Sequence, residues 1–227
     1  MSGTSDGEPR ESAGTGTLVT LEGGEGGGKS TQAHLLGTWL EEKGYQVVVA
    51  REPGTTQVGE AVRRLLLEEA PDHLAAEAEL ALYVAARAQL VTELVRPSLE
   101  AGKVVVLDRY GDSSVAYQGY GRGLGPDRVR EMNRWATGGI EPDLTILVDV
   151  APEVETDRLE GRPRDRLERA GRSFHERVRE GYLELAGKEP GRFFVVDAGR
   201  PIDEIQGVIR ERVGRLLTRR RRPRKES

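Results

Sequence analysis

The feature that most constrains this chain is a glycine-rich octapeptide near its N-terminus. Residues 23–30 read GGEGGGKS, which is the spacing Gly-x-x-x-x-Gly-Lys-Ser. The apolar, β-branched run 17–21 precedes it and predicts a buried strand. Apolar residues recur at helical spacing in 31–43, and Gly44 follows as a helix stop. Strand, glycine loop and helix in this order form the context in which the motif holds phosphate.

Each part of this loop has a physical role toward an anion. Glycines accept backbone conformations that other residues resist, so successive N–H groups can turn toward one phosphate, and the helix N-terminus adds partial positive charge. Lys29 is predicted to reach the β- and γ-phosphates, and Ser30 to offer its hydroxyl to Mg²⁺. The alternative is a flexible linker, which explains neither the preceding strand nor the Lys-Ser pair. The motif predicts a bound nucleotide without indicating a reaction.

Strand and helix patterns alternate along the rest of the chain. Further apolar, β-rich runs occupy 46–50, 103–107, 144–150 and 192–196, and helical stripes separate them. This alternation predicts an α/β fold with a parallel sheet covered by helices on both faces. In such sheets ligands bind beyond the carboxyl ends of the strands, so the loops there should converge on the site. The helical stripe 75–95 is expected to end at Pro97.

The amino-acid composition restricts the location and the partners that are expected for this protein. The chain has no cysteine, which excludes disulfides and zinc–thiolate sites and is compatible with a cytoplasmic location. No apolar run approaches the roughly 18 residues of a membrane span, so no membrane partner is expected.

We predict one domain at 17–218 between two disordered tails, 1–16 and 219–227. The second tail carries six positive and one negative residue, so the rest has a net charge of −9. Nucleic acid is therefore not expected as a partner, apart from a weak contact by that basic tail.

Polar residues at strand ends are the first candidates for chemistry. The run 103–107 delivers Asp108 and Arg109 to the carboxyl edge of the sheet, where an acid beside a phosphate loop can hold Mg²⁺ and a guanidinium can hold a second phosphate. An ordinary strand-end ion pair is the alternative. Arg51 follows the run 46–50 in the sequence Arg-Glu-Pro-Gly, which predicts a turn at the same edge.

A second group of candidates lies on and after a helix. Tyr83 and Arg87 are one helical turn apart within an apolar stripe. The tyrosine ring and the hydrogen-bond donors of the guanidinium could therefore recognise a nucleobase together. The alternative is that Arg87 either snorkels to the surface or pairs with a core acid. Residues 113–124, SSVAYQGYGRGL, suggest a ligand-contacting loop. The arginine-rich stretch 161–171 is either a mobile lid or an exposed charged helix.

Five segments together resemble the bacterial thymidylate kinases, a family of P-loop nucleoside monophosphate kinases. They read LEGGEGGGKST, REPGTT, YVAARAQLV, DRYGDSSVAYQGYGRGL and PDLTILVDV, and the similarity covers about 17–217. The resemblance implies a three-layer P-loop kinase fold with a five-stranded parallel sheet in the order 2-3-1-4-5 and a short arginine-rich lid at about 158–171. It implies the reaction ATP + dTMP → ADP + dTDP, with Mg²⁺ as cofactor, and a homodimer.

The resemblance also assigns roles to residues. ATP phosphates would lie against Gly23, Gly24, Glu25, Gly26, Gly27, Gly28, Lys29, Ser30 and Thr31. The dTMP site would comprise Glu25, Arg51, Tyr83, Arg87, Arg109, Ser113, Ser114, Tyr117 and Gln118. Ser30 and Asp108 would serve the metal. The catalytic set would be Lys29, Arg51, Asp108, Arg109 and the lid arginines Arg158, Arg162 and Arg166.

Two departures from the family pattern and two other functions stay open at this point. Thr55 stands where relatives have glycine, and Ser114 where many have asparagine or threonine. A kinase for another nucleoside monophosphate, such as dUMP, would share the loop and the lid. A non-catalytic nucleotide-binding protein would keep the fold but lose Lys29, Asp108 or Arg109, all of which are present. A GTPase would need Asn-Lys-x-Asp, and the chain has no Asn-Lys pair.

Overall fold

A five-stranded parallel sheet forms the centre of the molecule. The computed structural model describes residues 16–67, 74–150 and 165–221. The strands are β1 (Thr17–Glu22), β2 (Val47–Arg51), β3 (Val104–Asp108), β4 (Leu144–Asp149) and β5 (Phe193–Asp197). Their spatial order is β2-β3-β1-β4-β5, with every neighbouring pair parallel. The predicted order is confirmed, and each predicted strand lies within one residue of the observed bounds.

Helices cover both faces of this sheet. They are α1 (Lys29–Glu42), α2 (Gln57–Leu67), α3 (Ala76–Leu90), α4 (Arg96–Glu100), α5 (Gly111–Ser114), α6 (Pro126–Thr137), α7 (Arg172–Lys188) and α8 (Ile202–Arg221). On one face, α1 and α8 enclose an aliphatic core against β1, β3, β4 and β5. On the other, α2, α3, α6 and α7 share a core that includes Tyr83, Tyr117 and Phe174. The predicted three-layer architecture is confirmed. Within the described ranges, no helix is long and apolar enough to cross a membrane.

Two local predictions are wrong. The helix expected to end at Pro97 instead passes through a π-helical turn, Val91–Val95, and continues as α4. Pro97 lies in the first turn of α4, where a missing N–H is tolerated. The segment 113–124, expected to be a loop, is mostly helical, because α5 continues into the π-helical Val115–Gly121. A Cβ at Gly121 would lie 2.7 Å from the Phe174 ring, so that glycine permits close helix packing rather than a loop.

The last helix extends into the segment predicted as a disordered tail. Helix α8 ends at Arg221, and Arg220 is held at the start of the sheet. Its guanidinium donates to the Gly16 carbonyl and pairs with Asp143. Asp143 also accepts the Leu18 N–H at 2.8 Å. The tail boundary at 219 is therefore wrong, because these contacts hold the helix end; residues 222–227 lie outside the described residues.

We expect Arg220→Ala to lower the free energy of unfolding by about 1–2 kcal/mol, because it removes a partly buried charge-assisted hydrogen bond to Gly16 and an exposed one to Asp143. Urea denaturation measures the change. Arg215→Ala is the matched control on the same helix, since Arg215 pairs only with exposed Glu211 among the ion pairs of the described residues and should cost less than about 0.5 kcal/mol. Equal effects of the two variants would show that the Arg220 contacts do not hold the helix end.

Candidate active site

The glycine loop links β1 to α1 and is shaped by contacts that only glycine permits. Gly23 has φ 135°, and a Cβ there would lie 2.3 Å from the Val148 carbonyl oxygen of β4. Gly28 has φ 85° at the start of α1. The buried Lys29 ammonium donates to the Gly24 carbonyl inside the loop. Burial, with a further contribution from Arg109, lowers the pKa of Lys29. An anion in the loop would therefore relieve a desolvated cation.

A hydroxyl and a carboxylate meet beside the loop. The parallel pairing of β1 with β3 places Asp108 opposite Leu21, and the Ser30 hydroxyl donates to the Asp108 carboxylate. Hard oxygen donors of this kind suit Mg²⁺, which usually keeps water and phosphate ligands besides one or two protein oxygens. The described residues form no cluster of three or more metal-ligating side chains. The pair thus fits Mg²⁺ that arrives with a nucleotide.

Arg109 connects the loop to a neighbouring cleft. Its backbone is left-handed, with φ 71°, which is uncommon for a residue other than glycine and typical of functional positions. Its guanidinium donates to the Gly23 carbonyl at 3.0 Å and the Tyr117 hydroxyl at 3.2 Å, and it pairs with Glu25. Burial raises the pKa of Glu25, but Arg109 and Lys29 outweigh it and lower that pKa to about 2. The cleft wall therefore carries a rigid arginine whose carboxylate partner stays ionised.

The cleft lies next to the loop and encloses about 520 Å³, open solvent included. The described residues that line it are Glu25, Glu52, Pro53, Arg63, Leu67, Tyr83, Arg87, Arg109, Tyr110, Ser113, Ser114, Tyr117, Gln118, Asp165 and Leu167. It combines aromatic rings, arginines and neutral polar groups. Every residue predicted for dTMP, Arg51 excepted, lies on this wall.

Arg87 forms an ion pair with a core acid, which is one of the alternatives to a contact with a nucleobase. Its side chain is 1% exposed and pairs with the equally buried Glu52. It also donates to the Tyr110 carbonyl at 3.1 Å and the Ser114 hydroxyl at 3.0 Å. Because Arg87 still lines the cleft, the ion pair and a contact with ligand are compatible. Its predicted contact with the base stays a prediction.

Some predicted site residues point elsewhere. Arg51 is 54% exposed and pairs with Glu60. Arg166 pairs with Glu79, a fully buried acid that also accepts hydrogen bonds from Gln118 and Arg122. Neither arginine is among the described residues that line the cleft, so their phosphate contacts would need their side chains to move. Arg158 and Arg162 lie outside the described residues.

The stretch 165–171 is more ordered than its charge predicts. Asp165 accepts the N–H groups of Leu167 and Glu168, and Glu168 accepts the Asp165 N–H at 3.0 Å, which together form a capping box. Leu167 is buried in the core beside α7. The part of the arginine-rich stretch within the described ranges is therefore anchored at the cleft.

Thr55 keeps a glycine-type turn despite its side chain. It has φ 70°, a conformation that is strained for a β-branched residue. Its hydroxyl accepts the Arg51 N–H at 3.1 Å, and its own N–H donates to Glu60 at 2.9 Å. These hydrogen bonds stabilise the turn where the family pattern has glycine.

Several groups at the site escaped the sequence reasoning. Glu52, Arg63 and Glu22 were not predicted, although Glu22 interrupts an apolar strand immediately before the loop, a signal of a partnered buried acid. Glu22 accepts the Tyr110 N–H at 2.8 Å, the Ser113 hydroxyl at 2.5 Å and the Tyr182 hydroxyl at 3.1 Å. It therefore joins β1 to the turn that carries Arg109.

We expect Glu22→Gln to reduce the loss of folding stability between about pH 4.5 and pH 8. Burial first, and the charge of Asp112 second, raise the pKa of Glu22 from 4.5 to about 8. The folded chain then keeps a proton that the unfolded chain releases, so folding stability falls as pH rises through this window. Glutamine does not ionise, so the free energy of unfolding of the Glu22→Gln variant should fall less than that of the wild type as pH rises through this window.

Denaturant unfolding at a series of pH values measures that slope. Asp127→Asn, at a side chain that is 95% exposed, is the control and should leave the slope unchanged. A Glu22→Gln protein with the wild-type slope would show that Glu22 is not held protonated.

The fold and the site together define a class. A parallel sheet in the order 2-3-1-4-5, a glycine loop with a buried lysine and an adjacent arginine-bearing cleft are the parts of a P-loop phosphotransferase with two neighbouring substrate sites. The chain belongs to the thymidylate kinase family, whose model matches residues 21–209.

Individual relatives agree with this assignment. The chain is 51% identical over 205 residues to the thymidylate kinase of Clavibacter michiganensis subsp. michiganensis, covering 89% of this chain and 97% of that protein. It is 48% identical over 196 residues to that of Deinococcus radiodurans, covering 86% and 94%. The crystal structure of thymidylate kinase from Ehrlichia chaffeensis superposes with a TM-score of 0.72 at 33% identity, covering 88% of this chain and 98% of that one.

Proposed function

We propose that this enzyme transfers the γ-phosphoryl group of ATP to dTMP and forms dTDP. The observation that carries the proposal is the position of Arg109, which hydrogen-bonds the glycine loop and lines the cleft beside Tyr83. One site suits a triphosphate, and the other suits a phosphorylated nucleoside. The acceptor phosphate would then meet the γ-phosphate at Arg109.

Phosphoryl transfer requires positioning and charge more than covalent chemistry from the protein. Lys29 would leave the Gly24 carbonyl and bind the β- and γ-phosphates. Arg109, with Arg63 on the same wall, would hold the acceptor phosphate oxygens. We propose that Arg158, Arg162 and Arg166 add positive charge from the lid, and that Arg51 approaches the acceptor phosphate, when substrates are bound. Closure of this kind would also exclude water that hydrolyses ATP.

Mg²⁺ would lie at Ser30 and Asp108, whose oxygens already meet. Bound there with ATP, it would supply positive charge that offsets the negative charge of the phosphates. The contribution of the chain is to hold the Ser30 hydroxyl at the start of α1 and the Asp108 carboxylate at the end of β3.

The other end of the cleft would hold the pyrimidine. Tyr83 offers a ring for stacking, and Arg87, Ser114 and Gln118 offer hydrogen-bonding groups on the same wall. Tyr117 and Glu25 are hydrogen-bonded to each other at 3.0 Å and would lie against the deoxyribose, Tyr117 in the space that a 2′-hydroxyl would need.

Replacing Arg87 with alanine should raise the KM for dTMP by about tenfold or more and the KM for ATP by less than threefold. Loss of one charge-assisted hydrogen bond corresponds to about 1.5–3 kcal/mol. Arg177→Ala is the control, because that arginine donates to a backbone carbonyl, Gly121, away from the cleft wall. Equal increases in both KM values would assign Arg87 a purely structural role.

A coupled ADP-release assay with dTMP, dUMP, dCMP, dGMP and dAMP tests the function. The proposal expects dTMP to have the highest kcat/KM. A preference for dUMP would favour the alternative monophosphate kinase, and ATP binding without turnover of any acceptor would favour a non-catalytic protein. The non-catalytic alternative is weaker because Lys29, Asp108 and Arg109 lie close together at one site. The alternative acceptor is weaker because the chain belongs to the thymidylate kinase family.

We also propose that the enzyme is a cytoplasmic homodimer, as the family resemblance implies. Val58 and Leu65, large apolar residues on α2, are exposed in the single chain, and a subunit contact would cover such residues. Light scattering of the purified protein tests the dimer. A monomer at micromolar concentration would contradict it.

A further inference from the structure

The ion pair between Glu52 and Arg87 forms part of the cleft wall. Both side chains are nearly inaccessible to water, at 2% and 1% exposed. Glu52 follows β2 and Arg87 lies on α3, so the pair joins two elements. Apart from Arg87, no group within the described part of the chain donates a hydrogen bond to the Glu52 carboxylate. Glu52 therefore serves mainly to balance the charge of Arg87.

Charge balance matters because an arginine stays ionised even when it is buried. A buried cation without a partner is costly, and it attracts any anion that can reach it. Burial raises the pKa of the Glu52 carboxyl, and the charge and hydrogen bond of Arg87 oppose that rise. With Glu52 ionised by this contact, Arg87 offers N–H donors while the pair as a whole carries no net charge. Arg109 and Arg63 also line the cleft; Arg109 pairs with Glu25 on the same wall, and Arg63 donates to the Pro53 carbonyl at 3.2 Å. The Glu52–Arg87 pair differs from them because it is almost completely buried, so water cannot compensate a charge that is left on it.

A buried donor group without net charge matches the base of a pyrimidine nucleotide rather than its phosphate. A 2,4-dioxopyrimidine has carbonyl acceptors and no charge while its N3 carries a proton, whereas its phosphate is anionic. We propose that Glu52 is a specificity-determining positioning residue, which neutralises Arg87 so that the cleft selects the neutral base over its N3-deprotonated anion. This inference rests on the proposed function, since it places the pyrimidine against Arg87.

The experiment compares a base that ionises easily with one that does not. Competition binding measures the Kd of dTMP and of 5-fluoro-dUMP, whose halogen makes N3 more acidic, at pH values below and above that N3 pKa. For the wild type, the affinity of 5-fluoro-dUMP relative to dTMP should fall by about tenfold per pH unit above the N3 pKa, because only the neutral base binds well.

Glu52→Gln should reverse this trend. It leaves Arg87 as an uncompensated buried cation, so the Kd of neutral dTMP should rise about tenfold or more. The relative affinity of 5-fluoro-dUMP should now increase as its base ionises. Glu52→Asp keeps the charge farther from Arg87 and should lie between wild type and Glu52→Gln. A purely structural role for Glu52 would change all affinities without changing the sign of the pH trend.

The experiment distinguishes failure of the inference about Glu52 from failure of the proposed function. A folded Glu52→Gln protein with the wild-type pH trend overturns the inference, while dTMP binding and turnover by the wild type leave the proposed function standing. Absence of dTMP binding by the wild type would contradict the proposed function itself. If Glu52→Gln does not fold, as thermal denaturation would show, the Asp variant decides, and a trend identical to that of the wild type overturns the inference.

Discussion

Replacing Arg109 with alanine should lower kcat by about 10³–10⁵, which corresponds to about 4–7 kcal/mol of transition-state stabilisation. Arg109 hydrogen-bonds the glycine loop and lines the cleft, so its charge lies where the two phosphates would meet. Burial keeps water from screening that charge. Arg109→Lys should recover only part of the rate, because an ammonium cannot make the paired hydrogen bonds of a guanidinium. Steady-state kinetics with dTMP and ATP measure both variants.

The control for Arg109 is Arg130→Ala. Arg130 pairs with the exposed Asp127 on α6, and surface pairs of this kind contribute about 0–1 kcal/mol. Its kcat should remain within about twofold of the wild type. An Arg109→Ala enzyme that folds and loses less than tenfold in kcat would show that the acceptor phosphate is held elsewhere.

Replacing Lys29 with methionine should lower kcat by about 10²–10³ without lowering stability. The loss of rate follows from removing a preorganised donor to the phosphates. Stability should be equal or higher, because burial lowers the pKa of Lys29, which means that the folded protein holds its charged form less well than the unfolded chain does. Methionine fills similar space without a charge. Kinetics and thermal denaturation of the same preparation measure the two effects.

Lys188→Met is the matched control. Lys188 forms a surface pair with Glu184, and neither rate nor stability should change appreciably. Parallel losses of activity and melting temperature in the Lys29 variant would indicate a folding role for Lys29 and contradict its assignment to phosphate.

Most of the fold could be predicted because its signals are local. A strand such as β3 is a short β-branched run, and the stop residues around it lie within a few positions in the sequence. Helical packing of 113–124 could not be predicted, because its glycines are typical of loops when read locally. The need of Gly121 for close approach to α7 is visible only once Phe174 and Val178 are in place. The end of α8 could not be predicted for a related reason, since Asp143, which pairs with Arg220, is distant in sequence.

The sequence by itself determined the chemistry available at the loop: glycines, Lys29 and Ser30 between a strand and a helix, with Asp108 and Arg109 after a neighbouring strand. Only the tertiary structure decided which charges meet. It paired Arg87 with Glu52 and turned Arg51 and Arg166 away from the cleft toward Glu60 and Glu79. The physical reason is that an ion pair depends on where elements pack and how far each side chain is removed from water. Local periodicity determines strands and helices, but it carries no information about such partners.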